Sequence, residues 1–185
     1  EWDDAFSVVE RLLGVELLVE VVETALPQVL LEARLPTLAR WVECAVEHEV
    51  DAPVFDLAEG ELAFRAADRT RSEALGLQAA RRFDEGHVLV SRSFALAGAS
   101  AHLSYQDEVA LDYFDKAHGT AKVSDDVRQS LWGHFLAHVA LERDAARALD
   151  DFESHSTDSV DDQLRLGNGR PLLGALSGGF NDAVE

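Results

Sequence analysis

Residues 94–98 (FALAG), followed twelve positions after Gly98 by residues 110–117 (ALDYFDKA), decide the fold. Apolar and small residues recur in both segments at intervals of three and four, which is the period of an amphipathic helix. The same period continues through most of the chain, whereas the alternation typical of strands is nearly missing. The sequence therefore predicts an all-α protein in which these two segments form a helix pair.

Parts of this arrangement recur along the chain. Trp132 precedes Ala148 by sixteen residues, as Phe94 precedes Ala110. A weaker upstream copy puts Ala74 in the equivalent position, so that the three alanines lie 36 and 38 residues apart, a length that suits two short helices. The predicted organisation is a set of N-terminal helices in residues 1–50 and helical repeats in residues 51–185, divided at about 53–85, 91–124, 125–158 and a partial 159–185.

The best of these units, with Phe94, Gly98, Ala110, Phe114 and Ala117, resembles a tetratricopeptide repeat. In that pattern small residues let two helices approach closely, and the aromatic residue fills the space between repeats. The resemblance implies antiparallel helix pairs stacked as a right-handed superhelix. The alternative is an unrelated all-α bundle in which Ala and Phe recur by chance.

The N-terminal part carries a narrower resemblance, in residues 25–27 (ALP), 30–34 (LLEAR) and 37–42 (TLARWV). These segments resemble the entry into the helical-repeat region of the large ATP-dependent LuxR-type regulators of the maltotriose-activator type. The resemblance implies an NTPase module before the superhelix, a helix-turn-helix DNA-binding domain after it, and a superhelix that receives an inducer or a partner protein. It implies a sensor or interaction segment without catalysis of its own, from a larger transcription-regulating protein.

The charge of the chain excludes several functions. Asp and Glu number 35 against 16 Lys and Arg, which gives a net charge of −19. Nucleic acids and anionic membranes are bound through Lys and Arg, so no direct contact with either is expected. The two lysines, Lys116 and Lys122, follow Asp115 and Ala121, which excludes a phosphate-binding P-loop. No cofactor is predicted, and the charge favours a cationic or neutral polar ligand.

Cysteine and apolar residues indicate the setting of the protein. Cys44 is the only cysteine, which excludes an internal disulfide and favours a reducing, cytoplasmic environment. The longest apolar stretch, residues 15–33, contains four glutamates and is not expected to cross a membrane. Met is absent even at position 1, and residues 180–185 have the pattern of a helix start, so we expect a piece of a longer protein.

The periodicity and the turn residues give the individual helices. Pro27 is expected to end one helix and begin the next, residues 153–169 to hold a loop or helix start, and residues 167–171 (GNGRP) to break a helix. The predicted helices are residues 4–13, 16–26, 27–33, 37–49, 53–66, 69–83, 86–101, 105–120, 124–142, 144–153 and 160–176.

The repeat pattern also predicts a binding groove, because the first helix of each tetratricopeptide pair lines the concave surface. Projected onto this chain, the pattern points six candidate residues inward: Glu59, Arg92, Leu96, His102, Ser130 and His134. Charged and polar groups among small side chains suit a peptide of a partner protein or a small polar ligand. The same residues are equally expected on the solvated face of a plain protein–protein scaffold, and a homo-oligomer is a further possibility.

One constellation suggests an enzyme. His134, His138 and Glu142 lie at i, i+4 and i+8 and would share one face of a continuous helix, with ligand types that zinc accepts. This pattern keeps open a metal-assisted all-α hydrolase. Against it, Phe135 occupies the position at which zinc proteases carry a glutamate, and a recognisable third strong ligand is missing, so ordinary histidines are the expectation.

Overall fold

A computed structural model describes Phe6 and residues 15–176, and in this part of the chain it contains nine helices and no strand. The protein is therefore all-α, as the sequence predicts. In chain order the helices are α1 (Val15–Leu31), α2 (Leu35–Glu47), α3 (Pro53–Arg65), α4 (Arg69–Arg82), α5 (Leu89–His102), α6 (Asp107–Thr120), α7 (Ser124–Ala140), α8 (Ala145–His155) and α9 (Val160–Leu176). The helices predicted at 4–13 and 180–185 lie outside the described residues.

Two predicted helix breaks are wrong. Helix α1 continues through Pro27. A proline inside a helix costs about 3 kcal/mol, but Leu26 and Val29, on either side of it, are fully or almost fully buried, and that burial offsets the cost. Helix α9 likewise runs through residues 167–171 to Leu176, because Gly169 packs closely on Leu149 of α8 and holds the helix in place.

The helices pack in a regular order. Each helix from α1 to α9 contacts the next one in the chain, and the odd-numbered helices also contact each other in sequence, α1 with α3, α3 with α5, α5 with α7 and α7 with α9. The even-numbered helices α4, α6 and α8 make no comparable contacts among themselves. The odd-numbered helices therefore lie side by side in one layer. Stacked helix pairs would pack in this order, while the right-handed superhelix stays a prediction.

Phe114 joins two consecutive helix pairs. A Cβ atom placed on Gly98 of α5 would lie 2.7 Å from the Phe114 ring, and one placed on Gly133 of α7 would lie 2.3 Å from it. The ring of α6 thus enters a notch between the two glycines, which are 35 residues apart. The sequence pattern predicts this contact, in which a small residue, Gly98, faces an aromatic residue, Phe114, between two units.

The same contacts correct the register of the other units. Ala74, the residue predicted to be equivalent to Ala110, is exposed, whereas Ser72 is fully buried. Glycines at close helix contacts give the consistent spacing instead: Gly60, Gly98, Gly133 and Gly169 lie 38, 35 and 36 residues apart. Twelve residues after the first three stand Ser72, Ala110 and Ala145, all buried. The predicted repeat spacing relied mainly on aromatic residues and alanines, whereas in the structure the close contacts between helices occur at the glycines.

The hydrophobic core is divided along the array into three clusters. The first joins α1, α2 and α3 to parts of α4 and α5, the second lies among α5, α6 and α7, and the third among α7, α8 and α9. Trp41 and Cys44 of α2 are buried in the first cluster. The predicted boundary at residue 50 falls between α2 and α3, but the first cluster extends across it.

Candidate functional site

A groove of about 620 Å³ runs along the layer of odd-numbered helices. Its lining comes from α1, α3, α5, α7 and α9 and from Ser159 just before α9. Even-numbered helices contribute nothing to it. The lining residues are Pro27, Gln28, Leu30, Leu31, Glu61, Phe64, Arg65, Arg92, Ala95, Leu96, Ala99, Asp125, Arg128, Gln129, Ser159, Asp161, Asp162 and Arg165.

The groove has two chemically different ends. Helices α1, α3 and α5 contribute mostly apolar side chains, among them Leu31, Phe64 and Leu96. Helices α7 and α9 contribute charged and amide side chains. Four arginines and four carboxylates line the groove, although carboxylates outnumber basic residues by about two to one in the chain as a whole. The groove is thus much less acidic than the chain around it.

The arginines at the polar end each have two partners. Arg128 is paired with Asp125 on its own helix, and its Nε lies 3.3 Å from Asp162 of α9. Arg165 lies 2.9 Å from Asp161 on its own helix and donates to the amide oxygen of Gln129 of α7 at 3.0 Å. The contacts with Asp162 and Gln129 tie α7 to α9.

Asp162 is held in its charged form. Burial alone would raise its pKa, but the Thr157 hydroxyl and backbone N–H donate to it at 2.7 and 2.8 Å, and together with Ser159 and Arg128 they bring the pKa below its ordinary value. Asp162 is therefore a fixed negative charge beside Arg128, and it anchors the start of α9.

The middle of the groove has a different electrostatic character. The side chain of Glu61 makes no hydrogen bond or ion pair with the described residues. Burial raises the pKa of Glu61 above its ordinary value, and the positive charges of Arg92 and Arg65 oppose this rise. The side chain of Arg65 likewise makes no hydrogen bond or ion pair within the described part of the chain. Arg92 contacts only the buried Asp126, at 3.4 Å. Burial also raises the pKa of Asp126, against the attraction of Arg92.

Two of the six candidate residues, Arg92 and Leu96, line the groove. Glu59 pairs with Arg71 on α4, and His102 contacts Asp107 at 2.5 Å, both outside the groove.

Ser130 and His134 face the opposite side of α7. Ser130 is fully buried against His118 of α6, and His134 lines a separate depression of about 210 Å³. The pattern selected the correct helices but a face of α7 rotated away from the groove. Aligning Trp132 with Phe94 set a repeat length of 38 residues, two more than the 36 residues that separate Arg92 from Arg128 in the groove.

The depression around His134 does not bring together the three predicted zinc ligands. Helix α7 ends at Ala140, and Glu142 follows in a turn with a left-handed φ of 53°, so it does not continue the face of His134 and His138. Within residues 15–176 no three potential ligands are arranged to hold a metal ion. The i, i+4, i+8 geometry on which the zinc-site alternative depended therefore does not occur.

His134 is instead a partly buried histidine. Asp115 Oδ1 lies 3.0 Å from its Nε2 but away from the direction of donation, so this nitrogen lacks a hydrogen-bond partner in the described structure. Burial lowers the pKa of His134, an effect that Asp115 opposes and that His118 and His138 reinforce.

Most of the groove lining was missed by sequence reasoning, including the charged residues Glu61, Arg65, Arg128 and Arg165. A signal for two of them was present, since Arg92, Arg128 and Arg165 are 36 and 37 residues apart, close to the repeat length. Arginine recurring once per unit on the first helix would have indicated the groove-facing side.

The chain matches no protein-family model, no curated protein and no solved structure. Its tetratricopeptide-like and LuxR-type resemblances therefore stay predictions. None of the helices in residues 15–176 is both long enough and apolar enough to cross a membrane.

Proposed function

We propose that this chain is a non-catalytic sensor or protein-interaction segment that binds a ligand or partner in the groove along its odd-numbered helices. One observation carries the proposal: five helices, distant in sequence, all contribute to one open groove, and every second helix is excluded from it. A volume of about 620 Å³ lies within the range of small-molecule sites.

The groove also offers a mechanism for signalling. It includes an ion pair and a hydrogen bond between α7 and α9 and apolar contacts among α1, α3 and α5, so a bound ligand would touch several helix pairs at once. A ligand that contacts one arrangement of the pairs better than another shifts the population towards it. In this proposal a larger, cytoplasmic, transcription-regulating protein reads the shift, and its nucleotide and DNA sites lie in other residues.

The experiment is a thermal-shift screen of the full chain against sugars, nucleotides, organic acids and peptides. A ligand at 100 times its dissociation constant adds about 2.7 kcal/mol of stability, which is roughly 5–10 °C for a chain of this size. Ala99→Trp fills the groove from α5, where the residue is half-buried, and Ala146→Trp is the matched control on the exposed side of α8.

Ligands that bind the groove shift the wild type and Ala146→Trp but not Ala99→Trp. If all three proteins respond equally, the ligand binds elsewhere and the groove proposal fails. If no small molecule shifts the wild type, while a partner protein binds it and loses affinity with Ala99→Trp, the chain is a scaffold rather than a ligand sensor.

A further inference from the structure

The centre of the groove has two guanidinium groups with unused hydrogen-bonding capacity. A guanidinium has five N–H donors. Arg65 uses none of them with the described residues, and Arg92 has one contact, to Asp126 at 3.4 Å. By contrast, Arg128 and Arg165 are each held by contacts from two partners. The unused donors are therefore concentrated where α3 and α5 meet.

Within the described residues, none of the carboxylates that line the groove makes an ion pair or hydrogen bond with Arg65 or Arg92. Asp125, Asp161 and Asp162 belong to the ion pairs of α7 and α9. Glu61 is the remaining carboxyl of the lining, and its burial opposes the charged form. The other helix beside this point, α1, contributes no charged residue to the lining. An incoming anion would meet two arginines and one carboxyl, Glu61, that is not paired with either of them.

Apolar surface lies next to the arginines. Leu31, at the end of α1, is 82% exposed on the edge of the groove, and Phe64 and Leu96 continue the apolar lining on α3 and α5. Exposed leucine beside unused guanidinium groups suits a molecule with one charged end and an apolar body.

Resting on the proposed function, we propose that the groove binds a small amphipathic anion, with its anionic head group on Arg65 and Arg92 and its apolar body over Leu31, Phe64 and Leu96. The chain's net charge of −19 favoured a cation, but the local arrangement of charges favours the opposite sign. An anionic head group is common to carboxylates and phosphate monoesters, since arginine binds both.

The test is calorimetric titration of the full chain with four probes that share a ten-carbon chain: decanoate, decyl phosphate, decanol and decyltrimethylammonium. One or both anions bind, at least tenfold more tightly than decanol, and the cation binds more weakly still. The relative affinity of the two anions identifies the head group. Butyrate, with six fewer methylenes than decanoate, binds on the order of a hundredfold or more weakly if the apolar body is seated.

Variants locate the site. Arg65→Gln and Leu31→Asn both change exposed side chains, so folding is preserved, and each weakens the tighter anion about tenfold or more. Arg143→Gln is the control, because Arg143 is exposed and pairs with Glu108 away from the groove. Unchanged affinity in both groove variants, or decanol binding as tightly as the anions, overturns the proposal. Tight binding of decanol that Ala99→Trp abolishes would overturn the anion site while leaving the groove as a binding site.

Discussion

The notch that receives Phe114 allows a quantitative prediction. Carbon atoms in contact are about 3.5–4.0 Å apart, but a Cβ on Gly133 would lie 2.3, 2.4 and 2.6 Å from three atoms of the Phe114 ring. Gly133→Ala therefore forces the ring out of the notch. Movement towards α5 would press the ring on the backbone of that helix, because the same edge already lies 2.7 Å from the point where a Cβ of Gly98 would stand.

The expected loss combines two opposing effects. Overpacking costs about 1–3 kcal/mol or more, whereas alanine is about 1 kcal/mol better than glycine inside a helix. With three ring atoms overlapped, we expect Gly133→Ala to lose about 2 kcal/mol net. Gly167→Ala, inside α9 with no atom within 4 Å of the Cβ position, should gain about 1 kcal/mol.

The assay is urea denaturation of both variants and of the wild type. The predicted difference between the two alanine variants is about 3 kcal/mol, or roughly 6–12 °C in Tm. Adding Phe114→Leu to Gly133→Ala should cost less than the sum of the two single changes, because the smaller side chain removes the overlap. Equal stabilisation by Gly133→Ala and Gly167→Ala would refute the packing of Phe114 between the two helix pairs.

Three further predictions concern titratable groups. Burial raises the folded-state pKa of Glu61 above 4.5, so the folded protein loses stability as pH rises from 4.5 towards the folded-state pKa. Glu61→Gln should therefore become more stable relative to the wild type as pH rises above 4.5, by at most about 1.4 kcal/mol per pH unit. A stability difference that does not change with pH would contradict this. Burial lowers the folded-state pKa of His134 below 6.5, so the stability of the folded protein falls as pH drops below that value. In the same denaturation assay, His134→Gln should therefore lose less stability than the wild type between pH 7 and pH 5. In equilibrium dialysis the chain should bind less than about a tenth of an equivalent of zinc, because Glu142 does not join the two histidines of α7. His134→Ala should bind the same small amount. One full equivalent bound by the wild type and lost in His134→Ala would contradict this arrangement of the three residues.

The sequence predicted the helices well because periodicity and turn residues act locally. Its errors occur where tertiary packing outweighs a local signal. Pro27 and residues 167–171 are helix-breaking in isolation, yet both lie inside helices. Leu26 and Val29 are buried beside Pro27, and Leu166 and Gly169 are buried in α9. Ala74 and Ser72 are only two positions apart, and the sequence pattern does not show which of them packs against the neighbouring helix. In the structure Ser72 is buried and Ala74 is exposed.

The groove was predicted only in part for a similar reason. The repeat pattern identifies which helix of each pair lines the groove, and Arg92 and Leu96 confirm that choice for α5. The face that a helix turns inward changes with a small change in register, since each residue rotates the direction by about 100°. Aligning Trp132 with Phe94 placed Ser130 at the position of Arg92, whereas Arg128, two residues earlier and about 200° away, lines the groove.

The central claim, that ligands bind in the groove formed by the odd-numbered helices, is tested most directly by hydrogen–deuterium exchange of the full chain with and without a saturating ligand from the screen. The account predicts that slowed exchange is concentrated in the groove-lining turns of α3, α5, α7 and α9. Slowed exchange confined to α4, α6 and α8, the helices that contribute nothing to the groove, would contradict it.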